Sequence, residues 1–205
     1  MRAVWLLILA TLVACTPARR KVRGDIVRDI AFQGNAGVFS GQNDYQLRTQ
    51  IEQEDSAFGV LTWPMSGFVE PVLLQPDVLV RDAYRLEVWY AHHGWLDARV
   101  AGWTIDRVRA STRRKAGVVD VLGRVSTGPR STVRKLAVTG ATGAAGILAK
   151  TVMRTAEVHE GDPFDLELVE STRTALQDQL RRSGFAYAKV DLEMHAWPEQ
   201  QAVDV

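Results

Sequence analysis

Residues 84–100 read YRLEVWYAHHGWLDARV, and residues 174–190 read TALQDQLRRSGFAYAKV. Both stretches have the same order: a helical pattern, a glycine, an aromatic residue, and then a pattern with a period of two. Gly94 and Gly184 end the helical patterns, where a left-handed C-cap favours glycine. The chain is therefore predicted to contain one structural unit twice.

Each helical pattern has one apolar side at a spacing of 3.6 residues, which predicts a helix with one buried face. The residues on these faces are Leu79, Ala83, Leu86 and Tyr90 in the first unit and Val169, Thr172, Leu176 and Leu180 in the second. After Gly184, the residues Ala188, Val190, Leu192 and Met194 alternate with Lys189, Asp191, Glu193 and His195. This alternation predicts a strand with one buried face.

The repeat covers residues 24–128 and 129–205. Residues 27–34 align with 133–140, and residues 118–121 align with 202–205 in the same order. Each unit is thus predicted to have the order βααββ. The predicted strands are 26–32, 97–108, 117–126, 133–139 and 186–196, and the predicted helices are 44–52, 77–93, 144–154 and 164–183.

Local signals refine these units. Gly102 predicts a β-bulge. Asp162 or Asp165 is a candidate N-cap for the last helix, with Pro163 in its first turn. Unit one has extra residues at 56–75. We expect the large apolar side chains of this segment to pack on unit one, although they could equally form a binding surface. These side chains are Phe58, Leu61, Trp63, Phe68 and Leu73. The last strand of unit two has only begun at Val205, so we expect a longer parent chain or a partner to supply the rest.

Residues 1–14 are predicted to be a signal peptide, because Arg2 precedes an apolar stretch at 3–13 that is short for a membrane span. The sequence LVAC at 12–15 resembles the lipobox of bacterial lipoproteins, whose cysteine is lipidated. Cys15 is the sole cysteine and is the candidate lipid attachment site, which makes residues 15–23 a tether. By this resemblance, Thr16 favours the outer membrane. The alternative is an ordinary signal peptide or an uncleaved anchor, with an incidental cysteine.

Composition excludes few classes of protein. The 205 residues fit one large or two small domains, and a hydrophobic content of 46% with 24% charged residues is typical of a globular chain. A net charge of +1 gives no indication of a nucleic-acid partner.

The junction from residues 119–129 into 133–140 resembles the link between successive POTRA domains of the outer-membrane β-barrel assembly family, the BamA- and TamA-like proteins. Residues 161–164, the following helix and residues 184–190 are similar to the second half of such a domain. The resemblance covers residues 24–205 and implies an α+β fold of two tandem βααββ domains. Each would be a small mixed three-stranded sheet with two helices on one face.

The resemblance implies a periplasmic region that assembles or translocates outer-membrane proteins, without enzymatic activity or a cofactor. The implied partners are an outer-membrane β-barrel (its own C-terminal domain or a separate protein), unfolded outer-membrane protein clients and accessory lipoproteins. Sheet edges have unpaired backbone groups to which a client strand could add. The candidate client-edge residues are Ala98, Val100, Ala188, Val190 and Leu192. The alternative is an accessory lipoprotein that acts as a docking scaffold.

Residues 138–146 read VTGATGAAG and resemble the glycine fingerprint of nucleotide-binding enzymes. Too few residues follow for a doubly wound sheet, so an NAD(P) enzyme using Gly140–Gly146 is the remote alternative. The four histidines are His92, His93, His159 and His195, and their spacing predicts no metal site. Arg113, Arg114 and Lys115 predict a hairpin turn, with contact to lipid headgroups as a minor alternative.

Overall fold

The computed structural model describes residues 24–35, 43–56, 71–113 and 115–205. The predicted signal peptide, Cys15 and the tether lie outside the described residues. So do Phe58, Leu61, Trp63 and Phe68 of the extra segment in unit one.

Each unit has the element order βααββ. Unit one consists of β1 (Asp25–Gln33), α1 (Asn43–Gln50), α2 (Pro76–His92), β2 (Arg99–Arg109) and β3 (Gly117–Ser126). Unit two consists of β4 (Thr132–Lys135), α3 (Gly143–Arg154), α4 (Leu166–Arg182), β5 (His195–Trp197) and β6 (Ala202–Asp204), with a 3-10 turn at Pro198–Gln200.

The described residues form two three-stranded sheets with the orders β1-β3-β2 and β4-β6-β5. The last strand of each unit is central. It pairs parallel with the first strand and antiparallel with the second. The predicted α+β fold of two βααββ units is therefore confirmed.

The core of unit one lies between one face of its sheet and its two helices. Alternate residues of β3 are buried, including Val119 and Val121, and they cluster with Leu86 and Tyr90 of α2. In unit two, all four residues predicted for the buried face of the long helix are buried. Ala83 in unit one is half-buried, while the other three residues of its predicted face are buried.

The predicted glycine positions are confirmed. Gly94 and Gly184 have φ angles of 95° and 99°, in the left-handed region that glycine tolerates. The pairing of β2 with β3 shifts register between Val100 and Gly102, so the bulge predicted at Gly102 is present.

The predicted start of the last helix is confirmed for the N-cap residue and wrong for Pro163. Asp165 is the N-cap of α4, and its side chain accepts a hydrogen bond from the Glu167 amide at 3.0 Å. Pro163 lies outside the helix, in an antiparallel bridge with Thr132.

The strand predicted at 186–196 is wrong over most of its length, since β5 covers only His195–Trp197. The burial of residues 188–193 still alternates as predicted. Their backbone bonds to side chains of α4 instead of a strand: the Val190 amide donates to Gln177 Oε1 at 3.0 Å, and Arg181 donates to the Ala188 carbonyl at 3.1 Å. The first strand of this unit is also shorter than predicted and ends at Lys135.

Candidate functional site: the open edge of strand β2

The two edges of the sheet in unit one differ. Along β1, the Val27 amide donates to the Val72 carbonyl at 3.0 Å, and the Asp25 carbonyl accepts from the Leu74 amide at 2.9 Å. Chain segments of the same unit thus cover part of the β1 edge. Strand β2 lies at the opposite edge and is 11 residues long, the longest strand described.

The register shows which β2 amides point away from the sheet. In an antiparallel pair, successive residues alternate between facing the partner strand and facing outward. The Val100 amide points outward, because it donates to Glu87 Oε1 of α2 at 2.9 Å. Val100 pairs with Val125 of β3. Every second β3 residue before Val125 has the same orientation, and these residues pair with Trp103, Ile105 and Arg107. These three residues therefore also turn their amides outward.

Helix α2 lies beside this edge. Trp103 Nε1 donates to the Leu79 carbonyl at 2.8 Å, which fixes the middle of β2 against the first turns of the helix. Val80 and Tyr84 share a helical face with Glu87, and both side chains are 71% exposed. A strand added to β2 would run next to this apolar face.

The two candidate edge residues of unit one lie before β2 and at its start. Ala98 precedes β2 and is buried; its amide donates to the Trp95 carbonyl and its carbonyl accepts from Arg99. The amide of Val100 is bonded to Glu87. The outward residues Trp103, Ile105 and Arg107 were missed. The bulge predicted at Gly102 was the available signal, because an extra residue changes which residues of the strand face outward.

The candidate edge residues of unit two lie outside any strand. Ala188 and Val190 pack against the cluster around Leu176, and Leu192 packs against the cluster around Val133. In the sheet order β4-β6-β5, the edge strand equivalent to β2 is β5. By equivalence with Arg107, Ala196 is its single outward residue, since Ala196 pairs with Val203 as Arg107 pairs with Val119.

Equivalent polar contacts occur within each of the two units. Gln177 bonds the Val190 amide as Glu87 bonds the Val100 amide. Arg28 pairs with Asp120 through two bonds in unit one, and Arg134 pairs with Asp204 in the same way in unit two. The hydrogen bond from Arg134 lowers the pKa of the Asp204 carboxyl below its ordinary value. The repeat therefore extends to individual side-chain bonds.

Arg130 joins the two units. Its guanidinium lies 4.6 Å from the centre of the Trp95 ring, and it donates to the carbonyls of His93 at 2.8 Å and Phe164 at 3.2 Å. The Ser131 amide donates to the Gly94 carbonyl at 2.7 Å. The helix end of unit one thus contacts the residues just before β4, and Arg130 also bonds the chain just before α4.

The glycine-rich turn does not lie in a nucleotide-binding fold. Helix α3 begins at Gly143, but β4 ends at Lys135, and its sheet has three mixed strands. Within the described residues, no group of three or more acidic, histidine or cysteine side chains could hold a metal ion. His159 lies 3.5 Å from Asp162, and the His195 ring contacts Trp197 edge to face. None of the helices in the described part of the chain is long and apolar enough to span a membrane.

Residues 132–205 match the family model of the POTRA domain, described as a surface antigen variable number repeat. The resemblance to POTRA domains that the sequence indicated is confirmed for these residues. Unit one has the same element order, strand pairing and matched hydrogen bonds.

Three solved structures illustrate the similarity. POTRA domains 3–5 of BamA from Haemophilus influenzae are 14% identical with a TM-score of 0.48, over 92% of this chain and 67% of that one. POTRA domains 1–2 of the periplasmic domain of Omp85 from Anabaena are 12% identical with a TM-score of 0.38, over 89% and 92% of the two chains. CdiB from Escherichia coli is 15% identical with a TM-score of 0.34, over 94% of this chain and 29% of that one. No curated protein sequence matches this chain significantly.

Proposed function

We propose that this chain is a periplasmic POTRA region of a factor that assembles or translocates outer-membrane proteins, and that it binds extended client strands by adding them to β2. The POTRA match over residues 132–205 supports the class of protein. The observation that carries the binding mode is the long edge strand β2, with outward amides at Trp103, Ile105 and Arg107.

The spacing of these amides suits an extended client. Outward residues two apart in a strand repeat about every 7 Å, which is also the repeat of a paired client strand. Backbone hydrogen bonds are common to all sequences, so this mode suits many clients. The exposed Val80 and Tyr84 beside the edge offer contact to alternate client side chains.

Unit one is the better client site of the two. β5 has three residues and one outward amide, whereas β2 has 11 residues. The residue on α4 equivalent to Val80 is Glu170, so the helix beside β5 is more polar. In this proposal, Ala188, Val190 and Leu192 support the fold of unit two and do not contact the client.

Ile105→Pro tests the binding mode. Proline removes an outward amide and leaves the β3-facing amides of its neighbours, so the sheet should persist. We expect its affinity for a synthetic peptide with the sequence of an outer-membrane barrel strand to fall at least about tenfold, as titration calorimetry would show. The control is Ile105→Ala, which keeps the amide and should bind within about threefold of the original chain.

Equal peptide binding by a folded Ile105→Pro variant would contradict addition to β2. Binding of a folded barrel protein without any peptide binding would support the scaffold alternative, in which the lipid-anchored chain docks partners only. The predicted lipidation of Cys15 belongs to the same proposal, and the intact mass of the membrane-extracted protein tests it.

A further inference from the structure

The hairpin between β2 and β3 concentrates positive charge. Arg107, Arg109, Arg113 and Lys115 lie within nine positions, and Asp106 is the neighbouring acidic residue in the sequence. All four basic residues are exposed. Two described residues of the turn are bonded to each other: the Thr112 amide donates to the Lys115 carbonyl at 2.8 Å, and the Lys115 amide donates to Thr112 Oγ1 at 3.1 Å.

Few acidic groups oppose this charge. Arg107 pairs with Asp25 at 3.0 Å, and Arg109 donates to the Ala116 carbonyl at 3.2 Å. Arg113 and Lys115 lie further out, at the tip. Val108 lies between Arg107 and Arg109 in the sequence and is 48% exposed. Basic side chains around a small apolar group suit the headgroup region of an anionic membrane.

The hairpin lies at the end of the sheet where the chain enters unit one. Asp25, the first residue of β1, pairs with Gly117, the first residue of β3 after the hairpin. The ion pair between Asp25 and Arg107 joins the same two places. A tether that holds the start of β1 near a surface therefore also holds the basic hairpin near that surface.

The sequence before β1 connects this end to the predicted lipid anchor. Asp25 follows Cys15 by ten residues, which span at most about 36 Å when fully extended. Arg19, Arg20, Lys21 and Arg23 lie in this connection and carry the same sign of charge as the hairpin. The anchored chain would thus present two basic segments to one membrane surface.

We propose that the hairpin tip, with Arg109, Arg113 and Lys115, binds the phosphate groups of an anionic lipid surface and orients unit one on the membrane. The orientation rests on the proposed anchoring of Cys15, whereas the binding of anionic lipid by the tip does not. Basic side chains near an anionic surface add an electrostatic attraction to the hold of a lipid anchor. In this orientation, the β2 strand rises from the membrane and keeps its edge open to the periplasm.

The test uses the full chain carrying Cys15→Ser and sedimentation with lipid vesicles. We expect stronger binding to an equal mixture of phosphatidylglycerol and phosphatidylcholine than to phosphatidylcholine alone. The triple variant Arg109→Glu, Arg113→Glu and Lys115→Glu should weaken binding to the mixture at least about tenfold. The matched control Lys150→Glu, Arg154→Glu and Arg182→Glu changes the net charge equally in unit two and should bind nearly as the parent chain does.

A dye at Ser111→Cys in the same Cys15→Ser chain reports on the tip without altering its charge. Its emission should shift to shorter wavelength with the anionic vesicles only, and salt should reverse the shift. An equal loss of binding in both triple variants would overturn the proposal, since total charge would then explain it. An unchanged dye spectrum would also overturn it. Peptide binding and the mass of Cys15 are measured separately, so failure here leaves the proposed function standing.

Discussion

Asp82 illustrates how one buried carboxylate can organise a loop. It lies on the inner face of α2 with 0% exposure and accepts from the amides of Glu52 and Gln53 at 2.8 and 2.9 Å. Arg85 donates to the same carboxylate at 2.8 Å. The chain that leaves α1 is thereby tied to α2. The sequence did not predict this contact, because a charged residue on a helix is usually solvated.

We predict that Asp82→Ala lowers the free energy of unfolding by about 3 kcal/mol, since it leaves two backbone amides without their acceptor. Urea unfolding followed by circular dichroism measures this loss. The control is Asp77→Ala in the exposed first turn of the same helix, which should cost less than about 1 kcal/mol. A similar loss in both variants would contradict a stabilising role for the hydrogen bonds between Asp82 and the two amides.

Tyr90 is buried with an unsatisfied hydroxyl. Its side chain is 1% exposed, and its oxygen has no hydrogen-bond partner among the described residues. Burial, with a smaller contribution from Asp44, raises the pKa of Tyr90 from 10.0 to about 12. The folded chain therefore keeps this proton at a pH at which the unfolded chain releases it.

We predict that the ionisation of Tyr90 leaves the free energy of unfolding unchanged below pH 10 and lowers it as the pH rises from 10 towards the raised pKa of about 12. Tyr90→Phe lacks this loss and, near neutral pH, should be more stable by about 1 kcal/mol, because it removes a buried polar atom. Chemical unfolding across this pH range compares the two proteins, with Tyr84→Phe as the exposed control. Parallel pH profiles for the original chain and Tyr90→Phe would contradict this account.

At the scale of elements, the sequence predicted the helices and the strands of unit one well because their patterns are long. Strand β3 has its predicted bounds, and α2 differs from its prediction by one residue at each end. The strand predicted at 186–196 is too long for a physical reason, since β5 covers only His195–Trp197. Residues 188–193 alternate as a strand does, but side chains of α4 bond the backbone of Ala188 and Val190: Gln177, Arg173 and Arg181. Periodicity reports which face is buried and does not identify the partner of each amide.

The open edge could be predicted only in part. Candidate edge residues were expected in the predicted strands 97–108 and 186–196, and β2 and β5 are edge strands of their sheets. Which amides point outward depends on the bulge between Val100 and Gly102 and on the register with β3. Both depend on long-range pairing, which local residue patterns do not determine.

At the scale of the molecule, the repeat provides an internal comparison for the junction. Gly94 and Gly184 occupy equivalent helix ends with similar φ angles. A Cβ at Gly94 would lie 2.6 Å from the Phe164 carbonyl oxygen of unit two, whereas a Cβ at Gly184 would meet nothing within 4 Å. The two glycines therefore share the backbone requirement and differ in the contact between units.

We predict that Gly184→Ala costs about 1 kcal/mol through backbone strain alone. Gly94→Ala should cost more, by about 1–3 kcal/mol, because the junction must also shift. Thermal unfolding of both variants measures the difference. Equal costs would show that the two units do not hold each other in this arrangement.

The central claim is that an extended client pairs with the outward amides of β2. Hydrogen exchange of the backbone amides, measured by NMR with and without a peptide from an outer-membrane barrel strand, tests it most directly. The account predicts slower exchange at Trp103, Ile105 and Arg107, with no change at Ala196 of β5. Slower exchange confined to other residues, or no change at these three at saturating peptide, would contradict it.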